Sequence, residues 1–351
     1  MKPYPNRLTR FVLLLSIVVG LMACKPNPQD DIALFQPFIT ENINKKSADP
    51  YISSTVKPGD KMYEILVNIQ HGRHDIASSK LQSLIEGNDS DAMVWYAKLI
   101  YRASVNNRPK ALSLYQKAMD DGNPYAYIML SPGLISSGCV SYFGEKNCTL
   151  EHFNKAIELF KPLAAQGDLR AQYFLLQQQE LDKSKETRAQ YIQEVIRFSK
   201  NHYYQPLMDY VNTILTRPQG KDKYEARTTE QYNLAIDLLT IASNNNYIPA
   251  IKRLLEVDLD EEIFTKRMEQ LTRLGSTFEI YENYFNSQDE YERYYYSMLF
   301  KQLTGDNKLS SSYRATDDEV KMINEKIEKV ISSMTPMVYI DGFTSRNKWV
   351  D

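Results

Sequence analysis

A spaced pattern of small and apolar residues recurs along this chain and limits its fold more than any other feature. Its clearest copy is KAIELFKPLAAQGDLRAQYFLL, and forty-five residues earlier KALSLYQKAMDDGNPYAYIML has matching residues at the same spacing without a gap. The marked positions of these copies and of a third are Ala156, Phe160, Leu163, Gly167, Ala171 and Leu175; Ala111, Tyr115, Ala118, Gly122, Ala126 and Leu130; and Ala235, Leu239, Ala242, Asn246, Ala250 and Leu254. Two weaker copies are Ala77, Leu81, Leu84, Asn88, Ala92 and Tyr96, and Tyr191, Val195, Phe198, His202, Pro206 and Tyr210, while Gly275 marks the turn of a sixth.

This spacing describes a helical hairpin. Residues separated by four and then three positions lie on one helix face, and glycine or asparagine ends the helix because it adopts left-handed backbone readily. One hairpin leaves its apolar stripe uncovered, so successive copies must stack on one another. The copies start at 77, 111, 156, 191 and 235, and steps of 34, 45, 35 and 44 residues are typical of solenoids. The sequence therefore predicts an all-α fold, with a helical-hairpin repeat solenoid over residues 61–285.

The pattern resembles the Sel1-like branch of the tetratricopeptide-type repeats, whose core reads K-A-x-x-W/Y-x-x-x-A-A-x-Q-G-x-x-x-A. The residues that carry the resemblance are Lys155, Ala156, Phe160, Ala164, Ala165 (one position late), Gln166, Gly167 and Ala171, and in part Lys110, Ala111, Tyr115, Ala118 and Gly122. It covers about residues 75–255. The glycine-rich G-x-G-V turn that usually precedes the second helix is absent, which puts a regular array in doubt.

The first residues have the layout of an export signal. Lys2, Arg7 and Arg10 precede an apolar run of about 13 residues from Phe11 to Ala23, without an acidic residue. A retained membrane anchor is the weaker interpretation, because a spanning helix needs about 20 apolar residues. We therefore interpret residues 1–23 as a cleaved signal peptide.

The end of this run, Leu-Met-Ala-Cys, resembles the lipobox of bacterial lipoproteins, which makes Cys24 the lipid-attachment residue. The alternative is an ordinary secretory signal with a free Cys24. Lys25 replaces the aspartate that tends to hold enteric lipoproteins at the inner membrane, so by resemblance we expect an outer-membrane lipoprotein facing the periplasm. Several acyl chains would attach the protein firmly to the membrane. Residues 24–60 are polar, with several prolines and one short apolar patch from Leu34 to Ile39, and we expect a flexible tether there.

The charge of the chain argues against nucleic acid as a partner. Three of the 42 basic residues lie in the signal, which leaves 39 basic against 44 acidic residues and a net charge of −5. Binding to phosphates needs a basic face, and no dense run of lysine and arginine occurs.

Cys139 and Cys148 are the two cysteines left after Cys24, separated by VSYFGEKN between predicted helices. Export into an oxidising space favours a disulfide between them. The rival interpretation, a metal site, lacks both a CxxC motif and a histidine cluster near these thiols. We therefore predict a disulfide and no metal.

The repeat pattern fades after about residue 285, and we expect capping helices and a tail over residues 286–351. The segment TDDEVKMINEKIEKVISSM has Thr316 or Asp317 as its N-cap, acidic residues in the first turn, and apolar residues at helical spacing. A solenoid needs such a polar outer face at its end.

No motif for catalysis or cofactor binding occurs in the chain. The pair His71 and His74 provides two ligands at most, and a surface or capping role is the more common one. Tyrosine is enriched at interfaces, and we single out Tyr203, Tyr204, Tyr291 and Tyr295 as candidate partner-binding residues. Core packing of a helix is the equally weighted alternative.

A stacked helical array presents a long concave surface, and such surfaces generally hold another polypeptide. We therefore expect a binding protein and not an enzyme, with no cofactor. The resemblance implies two groups of Sel1-like envelope lipoproteins: immunity proteins that capture a type VI secretion phospholipase by steric occlusion, and scaffolds for assembly of envelope complexes. The first is our leading hypothesis, and the scaffold is the alternative.

Overall fold

The computed structural model describes residues 26–132, 138–217, 224–257 and 260–350. The predicted signal peptide and the lipid-attachment residue Cys24 lie outside these residues. Within them the chain forms 17 α-helices, numbered α1 to α17 in order: Pro28–Asn42, Tyr63–Gln70, His74–Glu86, Ser90–Ile100, Arg108–Asp120, Pro124–Met129, Cys139–Phe143, Leu150–Ala165, Leu169–Gln177, Lys185–Lys200, Gln205–Ile214, Thr229–Asn244, Ile248–Leu255, Glu261–Arg273, Phe278–Asn286, Glu290–Thr304 and Asp317–Ser333.

The predicted all-α class is confirmed for the described part of the chain, where extended pairing is limited to one antiparallel bridge between Thr216 and Glu225. Helices that follow one another pack side by side, as in α3 with α4, α8 with α9, α10 with α11, and α12 with α13. These pairs correspond to the helical hairpins that the spacing pattern predicts.

The turns of the hairpins share one backbone geometry. Each marked turn residue has a positive φ: Asn88, Gly122, Gly167, His202, Asn246 and Gly275. The amide after each of them donates to the carbonyl five residues earlier, as from Asn123 to Ala118 and from Asp168 to Leu163. This is the Schellman arrangement, which satisfies carbonyls that the helix end leaves free. In each of these six hairpins the first helix ends two residues before the residue that the sequence marks.

The small residues of the pattern lie where the helices meet. Ala77, Ala111, Ala156, Ala235 and Ala250 are fully buried. Aromatic and aliphatic residues of the same stripes fill the core beside them, and Tyr115, Phe160 and Phe198 are fully buried as well. The alanines permit close approach of neighbouring helices, and the larger side chains supply most of the buried apolar area.

The flexible tether predicted over residues 24–60 is wrong for the described part of that range. Residues 28–42 form α1, which packs against α10 and α12 and buries Phe35, Phe38 and Ile39. The segment that follows is held as well, since the Ser53 hydroxyl donates to the carbonyl of Asn245 at 2.7 Å. The apolar residues of α1 were separated by polar ones in the sequence, and their partner helices come about 150 to 200 residues later.

The predicted disulfide is present as a bonded pair. Cys139 begins α7 and Cys148 precedes α8, with their Cα atoms 5.9 Å apart. Both are buried in one apolar cluster with Tyr101 and Tyr115. The cross-link closes a short loop between two hairpins and stabilises the fold by restricting the unfolded chain.

The helix predicted near the C-terminus is α17, and its N-cap is Thr316. The Thr316 hydroxyl accepts from the amide of Glu319, and the Glu319 carboxylate accepts from the amide of Thr316. Ile323 and Ile327 of α17 pack with Tyr295 and Leu299 of α16 in a separate apolar cluster. α16 packs in turn against α15, and the capping role of these two helices stays a prediction.

Candidate functional site

The residues that follow α17, 334–350, form the C-terminal segment, and they are not a free tail. Met337, Val338, Ile340 and Trp349 are all fully buried. The sequence predicted a tail in this region, and the structure places it in a groove lined by successive hairpins. This groove is therefore occupied by the chain itself.

The backbone of the C-terminal segment is held by side chains from the N-terminal part of the chain. The Gln70 amide donates to the carbonyl of Met337 at 3.0 Å and accepts from the amide of Tyr339 at 2.9 Å. The Thr55 hydroxyl donates to the carbonyl of Ile340 at 2.7 Å. An amide side chain that pairs with both backbone groups recognises extended chain independently of its side chains. The groove is thus built to hold an extended peptide.

Aromatic side chains fix the second half of the segment. The Phe343 ring stacks on Phe174, with centroids 5.2 Å apart and an interplanar angle of 6°, and also contacts Tyr125 and Phe160. The Tyr203 hydroxyl donates to the Asp341 carboxylate at 3.1 Å. Aromatic contacts of this kind add to the free energy of burial, so the segment is bound along its whole length.

Lys98 of α4 lies at the centre of this contact. Its Nζ donates to the carbonyl of Gly342 at 2.8 Å and faces the rings of Trp95 and Trp349 at 4.8 and 5.2 Å from their centroids. Burial lowers the pKa of Lys98 to about 8, while the nearby Asp341 carboxylate acts in the opposite direction. A buried ammonium between two indoles thus fastens the C-terminal segment to α4.

We expect this lysine to give a pH dependence of stability. The unfolded pKa is near 10.5 and the folded one near 8, so between these values the unfolded state binds more protons. The free energy of unfolding of the wild type should therefore rise relative to Lys98→Met between pH 8 and pH 10. The rise is at most about 3 kcal/mol, and the indole rings reduce it because they favour the charged form.

The measurement is urea unfolding of both proteins at each pH. Lys117→Met, at an exposed position of α5, is the control and should differ from the wild type by a constant amount. A constant difference for Lys98→Met as well would contradict the assignment of a depressed pKa to Lys98.

The four tyrosines singled out from the sequence do not form one surface. Tyr204 is 2% exposed and packs against Tyr247, and Tyr295 is 7% exposed beneath Lys326. Their burial favours core packing, the alternative that the sequence left open. Tyr203 contacts the C-terminal segment, and the ring of Tyr291 lies edge-on to that of Tyr313.

The two histidines that the sequence pairs, His71 and His74, lie in different surroundings. His71 is buried, and its Nε2 lies 2.7 Å from the carbonyl of Gly275. Burial lowers the pKa of His74, with a smaller contribution in the same direction from Arg346. No group of three or more histidine, cysteine or acidic side chains suited to a metal ion is found among the residues that the structure describes.

An exposed apolar surface lies on the hairpin of α14 and α15, and sequence reasoning missed it. It comprises Phe264, Tyr281 and Phe285, which we call the aromatic patch, whereas the exposed Ile263 lines a separate depression with Asn44 and Thr240. Phe285 is 55% exposed, and its ring lies 4.8 Å from that of Tyr281, one helical turn away. The two helices pair as a hairpin around Gly275, so the start of α14 and the end of α15 lie at the same end. The sequence signal was present in FEIYENYFN, whose apolar residues outnumber those that one helix face can bury.

Acidic residues lie at the start of α14 and just after the end of α15, next to the aromatic patch. Asp260 caps α14, Glu261 and Glu262 occupy its first turn, and Asp289 caps the helix after α15. One of these charges is paired, since the Glu262 carboxylate accepts from Lys266 at 2.5 Å. Exposed apolar surface within a polar rim is characteristic of protein interaction sites. Lys308 also lies over the Tyr281 ring, at 5.2 Å from its centroid. The four carboxylates exceed Lys266 and Lys308, so the rim is net negative and favours a partner with basic residues.

Within the described residues, no helix combines the length and the apolar character needed to cross a bilayer. Comparison of the sequence with protein-family models, with curated proteins and with solved structures finds no significant match.

Proposed function

We propose that this chain is an exported, lipid-anchored protein that binds another polypeptide through the aromatic patch. The observation that carries the proposal is the exposure of Phe285 and Tyr281 on a chain that otherwise buries its large aromatic stripes. The occupant has an apolar anchor flanked by lysine or arginine, because the acidic rim attracts such a surface and repels an acidic one.

The architecture behind this proposal is a Sel1-like repeat solenoid. Its support is the series of hairpins with left-handed residues at each marked turn, together with the residues that resemble the family core. In a solenoid of this kind the concave face is the usual binding surface. Here the C-terminal segment fills the groove between hairpins, so the partner binds outside it.

The membrane contribution follows from Cys24. Three residues separate Cys24 from Pro28 at the start of α1. An extended chain spans at most about 14 Å over this interval. A lipid on Cys24 therefore keeps the folded body close to the bilayer surface. In this proposal the bilayer is the outer membrane, as Lys25 after Cys24 implies, and the protein faces the periplasm.

The most concrete form of the function is an immunity-type inhibitor of a type VI secretion phospholipase. The toxin attacks lipid, and an inhibitor whose first helix begins within about 14 Å of its lipidated residue stays close to that substrate. Inhibition is steric and needs no catalytic residue in this chain.

The test uses the product of the adjacent gene and residues 24–351 with Cys24→Ser. We expect a 1:1 complex with a lipase-type neighbour, and Phe285→Glu should raise its Kd at least about tenfold, because a charge is placed at the centre of an apolar contact. Leu150→Glu is the matched control: Leu150 is 67% exposed on α8, away from the patch, and its replacement should leave Kd unchanged.

The outcomes separate three interpretations. Equal binding by both variants would remove the aromatic patch as the binding surface. An unrelated neighbour, with unchanged survival of a deletion strain among its siblings, would contradict the immunity role. Co-purification with envelope machinery and a permeability defect on deletion would favour the scaffold alternative.

A further inference from the structure

A second site lies away from the aromatic patch, in a cavity of about 410 Å³ between α6, α8, α9, α10 and α11. This volume lies within the range of small-molecule pockets. Its walls combine apolar and aromatic side chains with polar and charged ones. The lining residues used in the argument are Phe153, Tyr173, Phe174, Leu181, Tyr191 and Asp209.

Asp209 of α11 is the charged group beside the aromatic rings of the cavity, and Glu180, Asp182 and Lys183 line it as well. Its carboxylate accepts from the Tyr173 hydroxyl at 2.6 Å and from the Gln205 amide at 2.9 Å. Both donors are neutral. In the described part of the chain, no lysine, arginine or histidine forms an ion pair with Asp209, and Lys348 acts on it only at longer range.

The absence of a close cation has an electrostatic cost. Burial raises the pKa of Asp209, and the Asp341 carboxylate contributes in the same direction, whereas Tyr173, Lys348 and Gln205 lower it. A carboxylate that is desolvated without a counter-charge is stabilised strongly when a cation binds beside it. The cavity offers the space for such a cation.

The other walls suit an organic cation rather than a metal ion. The rings of Tyr173, Phe174 and Phe153 line the cavity, and aromatic rings attract ammonium and guanidinium groups. Leu181 and the rings also provide apolar surface for a hydrocarbon stem. A metal ion would need several oxygen ligands, and Asp209 is the carboxylate that the wall supplies beside these rings.

The rim adds to the preference for positive charge. Glu180 and Asp182 lie at the mouth of the cavity, with Lys183 beside Asp182 at 3.6 Å. The two carboxylates exceed the single lysine, so the mouth is net negative. Such a rim concentrates cations at the entrance.

We propose that this cavity is a binding site for a small organic cation with an apolar stem, a primary ammonium or guanidinium compound whose charge pairs with Asp209. The stem lies against Phe153, Phe174 and Leu181. The site is independent of the aromatic patch and of the lipid anchor, so it stands whether or not the proposed function is correct.

The experiment is a ligand-detected NMR titration of residues 24–351 with phenethylamine at pH 8. We expect a Kd of about 1 mM or tighter, as for a well-placed ligand of about nine non-hydrogen atoms. The neutral analogue 2-phenylethanol should bind at least tenfold more weakly, because it offers the same stem without the charge.

Asp209→Asn tests the carboxylate, since the asparagine oxygen still accepts from Tyr173 while the charge is removed. It should weaken phenethylamine at least tenfold and leave 2-phenylethanol unchanged. Asp121→Asn, at an exposed position beyond α5, is the control and should alter neither ligand. Phe153→Ala should weaken both ligands, because it removes a wall that the stem contacts.

Three results would overturn the proposal. The first is no binding of phenethylamine to the wild type at 10 mM, and the second is equal binding of the amine and the alcohol. These two results are obtained with the wild-type protein alone, so they remain decisive even if Asp209→Asn does not fold. The third is unchanged amine binding by a folded Asp209→Asn protein.

Discussion

Deletion of residues 334–351 is expected to abolish the native fold rather than to remove a dispensable tail. Met337, Val338, Ile340 and Trp349 are fully buried, and burial of each such side chain contributes about 1.5–3 kcal/mol. Four of them together contribute roughly 6–12 kcal/mol, which is comparable with the whole stability of a typical protein, about 5–15 kcal/mol. The deletion also leaves Gln70 and Lys98 without the carbonyls that they bind.

The measurement is circular dichroism with thermal unfolding of the purified protein. A finer variant, Trp349→Ala, should lower the free energy of unfolding by about 3–5 kcal/mol, the cost of truncating a buried large aromatic residue. Asn347→Ala, two residues away and exposed, is the matched control and should change it by less than about 0.5 kcal/mol. A deleted chain that unfolds at the wild-type temperature would show that the groove does not depend on its occupant.

The second large loss of stability is expected on breaking the ion pair that joins α1 to α10. Asp31 is fully buried, and its carboxylate accepts from Arg188 Nη2 at 2.6 Å and Nε at 3.0 Å. The Tyr210 hydroxyl also donates to Asp31, at 2.9 Å. Asp31→Ala should lower the free energy of unfolding by about 3–5 kcal/mol, because it leaves a buried guanidinium without its counter-charge.

Two further variants show whether the loss of stability comes from the unpaired charge. Asp30→Ala changes the exposed neighbour and should cost at most about 1 kcal/mol, through the loss of a first-turn acid. The double variant Asp31→Leu with Arg188→Met should recover most of the loss, since apolar replacement of both partners removes the unpaired charge. Equal stability of the Asp31 and Asp30 variants would mean that α1 is not docked and that the sequence-based tether is correct.

The hairpins were predictable because their signals are local. A left-handed residue such as Gly122 or Asn246, with alanines on either side, determines where one helix ends and how closely the next can pack. The N-cap Thr316 is a signal of the same kind. None of these depends on residues far along the chain.

The errors came from residues whose partners are distant. Asp31 of α1 is polar in the sequence and buried in the fold, because it pairs with Arg188, which is 157 residues later. The C-terminal segment has no helical period, and its burial depends on Gln70, more than 260 residues earlier. The exposure of Phe285 could not be predicted from the sequence either. The packing of α14 and α16 against α15 decides which face of α15 remains exposed.

The central claim is that the chain fills its own groove and binds a partner elsewhere. The two tryptophans of the sequence test it directly, because Trp95 and Trp349 contact each other in the groove, with ring centroids 5.3 Å apart. Acrylamide quenching of their fluorescence should be weak in the free protein and should stay equally weak when the product of the adjacent gene is added to saturation. Strong quenching of the free protein, or a rise in quenching on addition of the partner, would mean that the C-terminal segment leaves the groove and would contradict the account.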